Sequence, residues 1–157
     1  MSSKESNKEE SLGYHVHVTG NQMRNNFNEF LKPYNIYTEQ FAMLCSLNEY
    51  GTSTVSQLAQ YNYKDKTTVS RLLHSLIKKE FILREPSPTD RRSYLISLTA
   101  KGQELYDEVG LCLKVYEAEK EQSISPEEKA ITIKVLTHLR EMDMSKTIEQ
   151  LRKDKAC

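Results

Sequence analysis

Between Val69 and Leu98 the apolar residues change period, and few folds accommodate that change. Val69, Leu72, Leu73, Leu76 and Ile77 stand at i, i+3, i+4, i+7 and i+8, one stripe of an amphipathic helix. Four residues later the pattern alternates. Phe81-Ile82-Leu83 reads as a strand, Pro86-Ser87-Pro88-Thr89-Asp90 as a turn-rich tip, and Tyr94, Ile96 and Leu98, interleaved with Ser93, Leu95 and Ser97, as the returning strand. A helix therefore runs into a two-stranded hairpin over Phe81 to Leu98. Upstream, Thr54 and Gln57 have the spacing of a capping box, with Val55, Leu58 and Ala59 on the buried side of a short helix. A polar connection, Tyr61 to Lys64, leads to Asp65, which can cap the helix carrying the stripe.

The flanks read as helical. The spacing of Val16, Gly20, Met23, Phe27 and Leu31 predicts a helix over 12–31 that Pro33 stops. Thr38 is the expected N-cap of the next helix, with Phe41, Leu44, Cys45 and Leu47 as its apolar face and Gly51 after its end. After the hairpin, Thr99 can cap a long helix marked by Leu105, Val109, Cys112 and Tyr116. Ser125-Pro126-Glu127-Glu128 then combines a cap, a proline in the first turn and a capping-box glutamate. Ile131, Val135 and Leu139 form a row that Leu136, Met142, Ile148 and Leu151 extend. Residues 1–11 read as a polar tail. With 157 residues, 38% hydrophobic and 28% charged, the expectation is one soluble domain over 12–157. No apolar run nears the roughly 20 residues of a membrane helix, and the polar start is unlike a signal peptide, so a cytoplasmic protein is expected. The expected fold class is mainly α with a small β-hairpin wing: a winged helix-turn-helix lobe over 38–99 and long flanking helices at 12–32 and 100–151.

The formal net charge is zero, but the charges are unevenly placed. Residues 64–92 carry eight basic and four acidic side chains, while the stretches before and after are each net −2. A basic block between mildly acidic ones suits a polyanion. With Val69, Leu72, Leu73, Leu76 and Ile77 inward, the opposite helix face presents Lys66, Thr67, Thr68, Ser70, Arg71, His74 and Lys78. Hydroxyls and an arginine at such a helix N-terminus suit phosphate oxygens and base edges in a major groove. The hairpin tip adds Asp90, Arg91 and Arg92. An arginine on a hairpin tip can reach a minor groove, and Asp90 beside it makes sense as the carboxylate that orients one guanidinium. An ordinary solvated helix face and an incidental ion pair would leave the same residues outside.

At these residues the stretch Val55 to Gly102 resembles the multiple antibiotic resistance regulator (MarR) family of bacterial transcription factors. The matching segments are Asp65-Lys66-Thr67-Thr68-Val69-Ser70-Arg71-Leu72, Leu76-Ile77-Lys78-Lys79-Glu80-Phe81-Ile82, the tip Pro86-Ser87-Pro88-Thr89-Asp90-Arg91-Arg92-Ser93, and Ile96-Ser97-Leu98-Thr99-Ala100-Lys101-Gly102. The flanks match in length and pattern, without a sharp motif. The resemblance implies a homodimer that binds a pseudo-palindromic operator in double-stranded DNA through recognition helix 65–79 and wing 81–98, most often as a repressor. It implies Arg92 in the minor groove, Asp90 as its partner, and Thr67, Thr68, Ser70 and Arg71 toward the major groove. It also implies a small aromatic or anionic effector between the lobes, for which His15, Arg24, Met43, Cys45 and Tyr116 are the candidates; core or surface positions are their bland alternative.

Other chemistries have weaker support. Cys45, Cys112 and Cys157 are odd in number and widely spaced, which excludes a disulfide scaffold and a CxxC motif. Cys45 and Cys112 fall on apolar faces as small hydrophobes. No His, Cys, Asp or Glu cluster has metal-ligand spacing, so neither a metal nor a cofactor is expected. Five glycines form no phosphate loop, and no nucleophile elbow is present, so an enzyme is not expected. The competing reading is a winged-helix module that binds protein and not DNA. Such a module would show exposed apolar anchors where this chain has Thr, Ser, Arg, His and Lys.

Overall fold

The computed structural model describes residues 10–90 and 93–142, together with Ser145, Glu149 and Arg152. The described chain is mostly helical. It comprises α1 (Leu12–Leu31), a 3-10 turn (Lys32–Tyr34), α2 (Thr38–Tyr50), β1 (Ser53–Thr54), α3 (Val55–Tyr61), α4 (Lys66–Lys78), β2 (Ile82–Pro86), β3 (Tyr94–Leu98), α5 (Ala100–Gln122) and α6 (Pro126–Glu141). It separates into two compact units, Met1–Gly110 and Leu111–Cys157.

The first unit is built on the stripe. Val69, Leu72, Leu73 and Leu76 of α4 are buried against Leu58 and Ala59 of α3 and Phe41, Met43, Leu44 and Leu47 of α2. Each such side chain gains about 2 kcal/mol by leaving water. The hairpin register is Ile82↔Leu98, Arg84↔Ile96 and Pro86↔Tyr94. It is one strand wider than expected, because β1 pairs antiparallel with β3 at Ser53↔Ile96 and Thr54↔Leu95, giving the order β1-β3-β2. Ser53 and Thr54 are too short a run to show a strand period of their own.

The caps show how local sequence sets these ends. Thr54 Oγ1 accepts from Gln57 N at 3.3 Å, and the Gln57 side chain accepts from Thr54 N at 2.8 Å, closing the expected capping box. The expected cap at Thr38 is displaced by one residue. Tyr37 holds the cap position, and Thr38 is already helical. Thr38 instead donates its backbone N–H and its hydroxyl to Asn28 Oδ1 of α1, both at 2.8 Å, so a tertiary bond takes the hydroxyl that local pattern assigned to the cap. At the other end of α4, Glu80 has φ 63°, Phe81 N donates to Leu76 O at 3.1 Å, and Glu80 N donates to Ile77 O at 2.9 Å. These are the paired bonds of a Schellman ending, with Phe81 and Leu76 both buried at its hydrophobic contact.

Within α5, Gly102, Leu105 and Val109 are buried, whereas Cys112 and Tyr116 of the expected face are exposed. In α1 only Leu31 is buried, leaving Leu12, Tyr14, Val16, Val18, Met23 and Phe30 exposed. The second unit buries none of the described side chains of α6: Ile131, Val135 and Leu136 are exposed and Leu139 is half-buried. Met142 is exposed too, and Ile148 and Leu151 of the expected row lie outside the described residues.

Candidate nucleic-acid interface

α4 starts at a strong cap. Asp65 accepts from Thr68 N at 2.8 Å and from Thr68 Oγ1 at 2.7 Å. These bonds from the Thr68 N–H and hydroxyl hold the Asp65 carboxyl below the usual carboxylate range. The sign of the pH effect follows. A depressed folded pKa adds stability at pH values above the unfolded carboxylate value, about 3.9, and that contribution is lost as pH falls through the folded value. The melting temperature of wild type should therefore exceed that of Asp65→Ala at neutral pH, and the gap should narrow below about pH 4. A gap that is constant with pH would remove the charge from this account.

The face opposite the stripe is polar. Lys66, Thr67, Ser70, Arg71, His74 and Lys78 are exposed. Thr68 stands apart from them: it is half-buried, its hydroxyl is committed to Asp65, and it accepts a long 3.5 Å bond from Arg71 Nη2. Its role is thus in fixing the helix start and lightly steering Arg71.

In the wing, the Ser87 hydroxyl accepts from Thr89 N and Asp90 N at 3.4 and 3.3 Å, and Ser93 N donates to Asp90 O at 3.0 Å. Asp90 is exposed at this tip. Arg91 and Arg92, and with them the expected Asp90–Arg92 pairing, lie outside the described residues.

One cation of the wing carries no role in the sequence reading. Arg84 lies with its guanidinium carbon 3.7 Å from the Tyr94 ring centroid. The register could have revealed it, since Arg84 opposes Ile96 and Tyr94 is the diagonal neighbour on the same face of β3. Arg84 also rims a hollow shared with Ser70 and His74 of α4 and lined below by Val55, Leu73, Ile77 and Ile96.

The effector candidates are dispersed in character. Met43 is fully buried in the core of the first unit. Cys45 is half-buried, and burial pushes its thiol up to about 11, so it is a poor nucleophile at neutral pH. His15 and Arg24 are exposed on α1, with Arg24 Nε 3.9 Å from Glu39. Tyr116 belongs to the second unit, where Lys120 Nζ sits 4.5 Å over its ring. Among the described residues no group of three or more His, Cys, Asp or Glu could hold a metal ion, and no helix is long and apolar enough to cross a membrane.

Two short helices, a polar turn, a capped helix with a polar outer face and a following antiparallel wing define a winged helix-turn-helix protein. The sequence model of the MarR family matches residues 36–94, which hold α2 to the start of β3. Over that stretch the chain is similar to the MarR family. Among its curated relatives, the multiple antibiotic resistance protein MarR of Escherichia coli (strain K12) is 32% identical over 91 residues, 58% of this chain and 63% of that protein. The match therefore spans less than two thirds of that relative's length. An uncharacterized HTH-type transcriptional regulator of Staphylococcus aureus is 29% identical over 116 residues, covering 71% of this chain and 78% of that one. Among solved structures, a mutant MarR from E. coli complexed with operator DNA superposes with a TM-score of 0.78 at 25% identity, covering 87% of this chain and 99% of that chain. The S. aureus MepR–DNA complex gives 0.76 at 25% identity, covering 82% and 95%.

Proposed function

We propose that the chain is a DNA-binding transcriptional regulator, acting as a homodimer and most often as a repressor. The observation that carries this is the outer face of α4. Lys66, Thr67, Ser70, Arg71, His74 and Lys78 are exposed there with no apolar anchor among them, next to a wing that adds Arg84. That face suits a polyanion and does not suit a protein partner, whose binding would want buried aromatic or aliphatic anchors. The DNA complexes of two relatives support the same reading. Thr67, Ser70 and Arg71 are the major-groove candidates, and Asp90, Arg91 and Arg92 the wing candidates.

The dimer is supported by uncovered apolar side chains. Leu12, Val16 and Met23 of α1, Leu111 and Val115 of α5, and Ile131 and Leu136 of α6 are all exposed, which is what a chain with a second copy over its terminal helices would show. A two-fold dimer reads two half-sites about one helical turn apart. Selection of bound duplexes from a random pool should thus return an inverted repeat with that spacing. Enrichment of a single unrepeated element, or no enrichment, contradicts the dimeric reading.

For the effector, the hollow rimmed by Ser70, His74 and Arg84 offers a cation beside an apolar floor, and it supports a small anionic aromatic ligand at that place better than the dispersed candidates do. Release of the selected duplex by such a carboxylate, unchanged in Arg84→Ala, would count against it.

A further inference from the structure

Three described residues other than glycine adopt left-handed backbone: Asn35, Tyr63 and Glu80, with φ of 54°, 51° and 63°. Asn35 is a residue type that tolerates the region and closes the 3-10 turn after Lys32, and Glu80 completes the Schellman ending. Tyr63 has no such account. A bulky aromatic is among the side chains least suited to this conformation. Its side chain is 83% exposed, the highest of the large apolar side chains among the described residues, so packing does not repay the strain. Asn or Gly would hold the same turn more easily.

The turn itself is rigidly held. Tyr63 N donates to Gln60 O at 3.2 Å and Lys64 N donates to Ala59 O at 3.0 Å. Asn62 Nδ2 donates to Ser46 Oγ and to Leu58 O, both at 2.9 Å. The phenol thus projects from a fixed base two residues before the Asp65 cap. We propose that Tyr63 is a DNA-backbone contact, its hydroxyl donating to a phosphate oxygen at the lip of the groove that α4 enters. The inference rests on the DNA-binding reading above. The N-terminal end of a recognition helix lies deepest in the groove, so the chain just before it crosses the phosphate edge. Lys64 and Lys66 follow it within three residues, on either side of Asp65, and bring positive charge to the same end of α4. The neighbouring Tyr50, stacked on Tyr61 at 4.1 Å, is unsuited to the same task. Its hydroxyl faces the Glu49 carboxylate, which raises its pKa and would repel a phosphate.

Strain and function predict opposite signs for one substitution. Tyr63→Asn should melt about 2–3 °C higher, because the left-handed strain is relieved. It should bind mixed-sequence duplex DNA about fivefold more weakly at fixed salt. Tyr63→Phe should lose affinity by a similar factor with an unchanged melting temperature, since only the hydroxyl is removed. Neither should alter the slope of log affinity against log salt, because a neutral donor displaces no counterion. Tyr63→Phe binding like wild type, or Tyr63→Asn melting lower, overturns the proposal. Arg71→Ala run beside them separates the two levels: weakened binding in Arg71→Ala with unchanged Tyr63 variants defeats this inference alone. Absence of salt-dependent binding in wild type defeats the DNA-binding reading and this inference with it.

Discussion

Gly102→Ala should destabilise the protein by about 3 kcal/mol, a loss of about 10 °C in melting temperature for a chain of this size. A Cβ at Gly102 would stand 1.9 Å from the Phe81 carbonyl oxygen, 2.9 Å from its carbon and 3.3 Å from the Phe81 Cα. These are backbone atoms, and they cannot retreat. The Phe81 carbonyl accepts from Thr99 N at 3.1 Å. The Thr99 hydroxyl donates to Glu80 O at 2.7 Å and accepts from Gly102 N at 2.9 Å. Lys101 Nζ adds a bond to Lys79 O at 2.9 Å. The first turn of α5 is therefore stitched to the Schellman ending of α4, and the glycine lets the two backbones meet. Thermal melts of Gly102→Ala beside Gly20→Ala test this. Gly20 lies in α1 with nothing within 4 Å of its Cβ position, so alanine there should be neutral or slightly stabilising. Equal melting temperatures for the two variants would contradict the close approach.

Gln40→Ala should cost about 2–3 kcal/mol, read by urea unfolding. Gln40 is fully buried although it is polar. Its Nε2 donates to Ser75 Oγ at 2.8 Å, and its Oε1 accepts from Tyr37 N at 3.3 Å and from Lys79 Nζ at 3.5 Å. Lys79 Nζ also donates to Asn35 O. One side chain thus joins the start of α2 to the last turn of α4 and the turn before it. Truncation opens a cavity and strands the Ser75 hydroxyl, each a cost of its own, while Lys79 Nζ keeps its bond to Asn35 O. Gln40→Met keeps most of the volume and loses only the bonds, so its cost should fall between wild type and alanine. An alanine variant within about 0.5 kcal/mol of wild type would mean that water replaces the network freely.

These two residues mark where sequence reading stops. Wherever a signal is local, the chain is legible. The bounds of α1, the Thr54 and Ser125 capping boxes, the Asp65 cap and the stripe of α4 all depend on residues within four positions of one another. Ser125 Oγ accepts from Glu128 N at 3.2 Å, and Glu128 returns the bond from Ser125 N at 2.8 Å. Gln40 looks like any polar helix residue until the bonds to Ser75 and Lys79 bury it. Thr38 reads as a cap until Asn28, ten residues back, takes its hydroxyl. Strand β1 exists only because β3 supplies its partner. In the candidate interface the exposed face of α4 follows from the stripe, whereas the stacking of Arg84 on Tyr94 needs the cross-strand register. Val16 and Ile131 show a different limit: their periodicity is real, yet both side chains stand exposed, and the dimer proposed above is what would cover them.

The claim that this winged helix grips DNA can be put to one titration. Binding of duplex DNA is followed by fluorescence anisotropy across a salt series, with wild type beside Arg71→Ala and Arg92→Ala. The account predicts binding that weakens steeply with salt. Each variant should bind more weakly and with a shallower slope, because a cationic contact and its released counterions are lost. Wild type that fails to bind, or variants that match it in both affinity and slope, would contradict the account and move the protein-binding winged helix ahead.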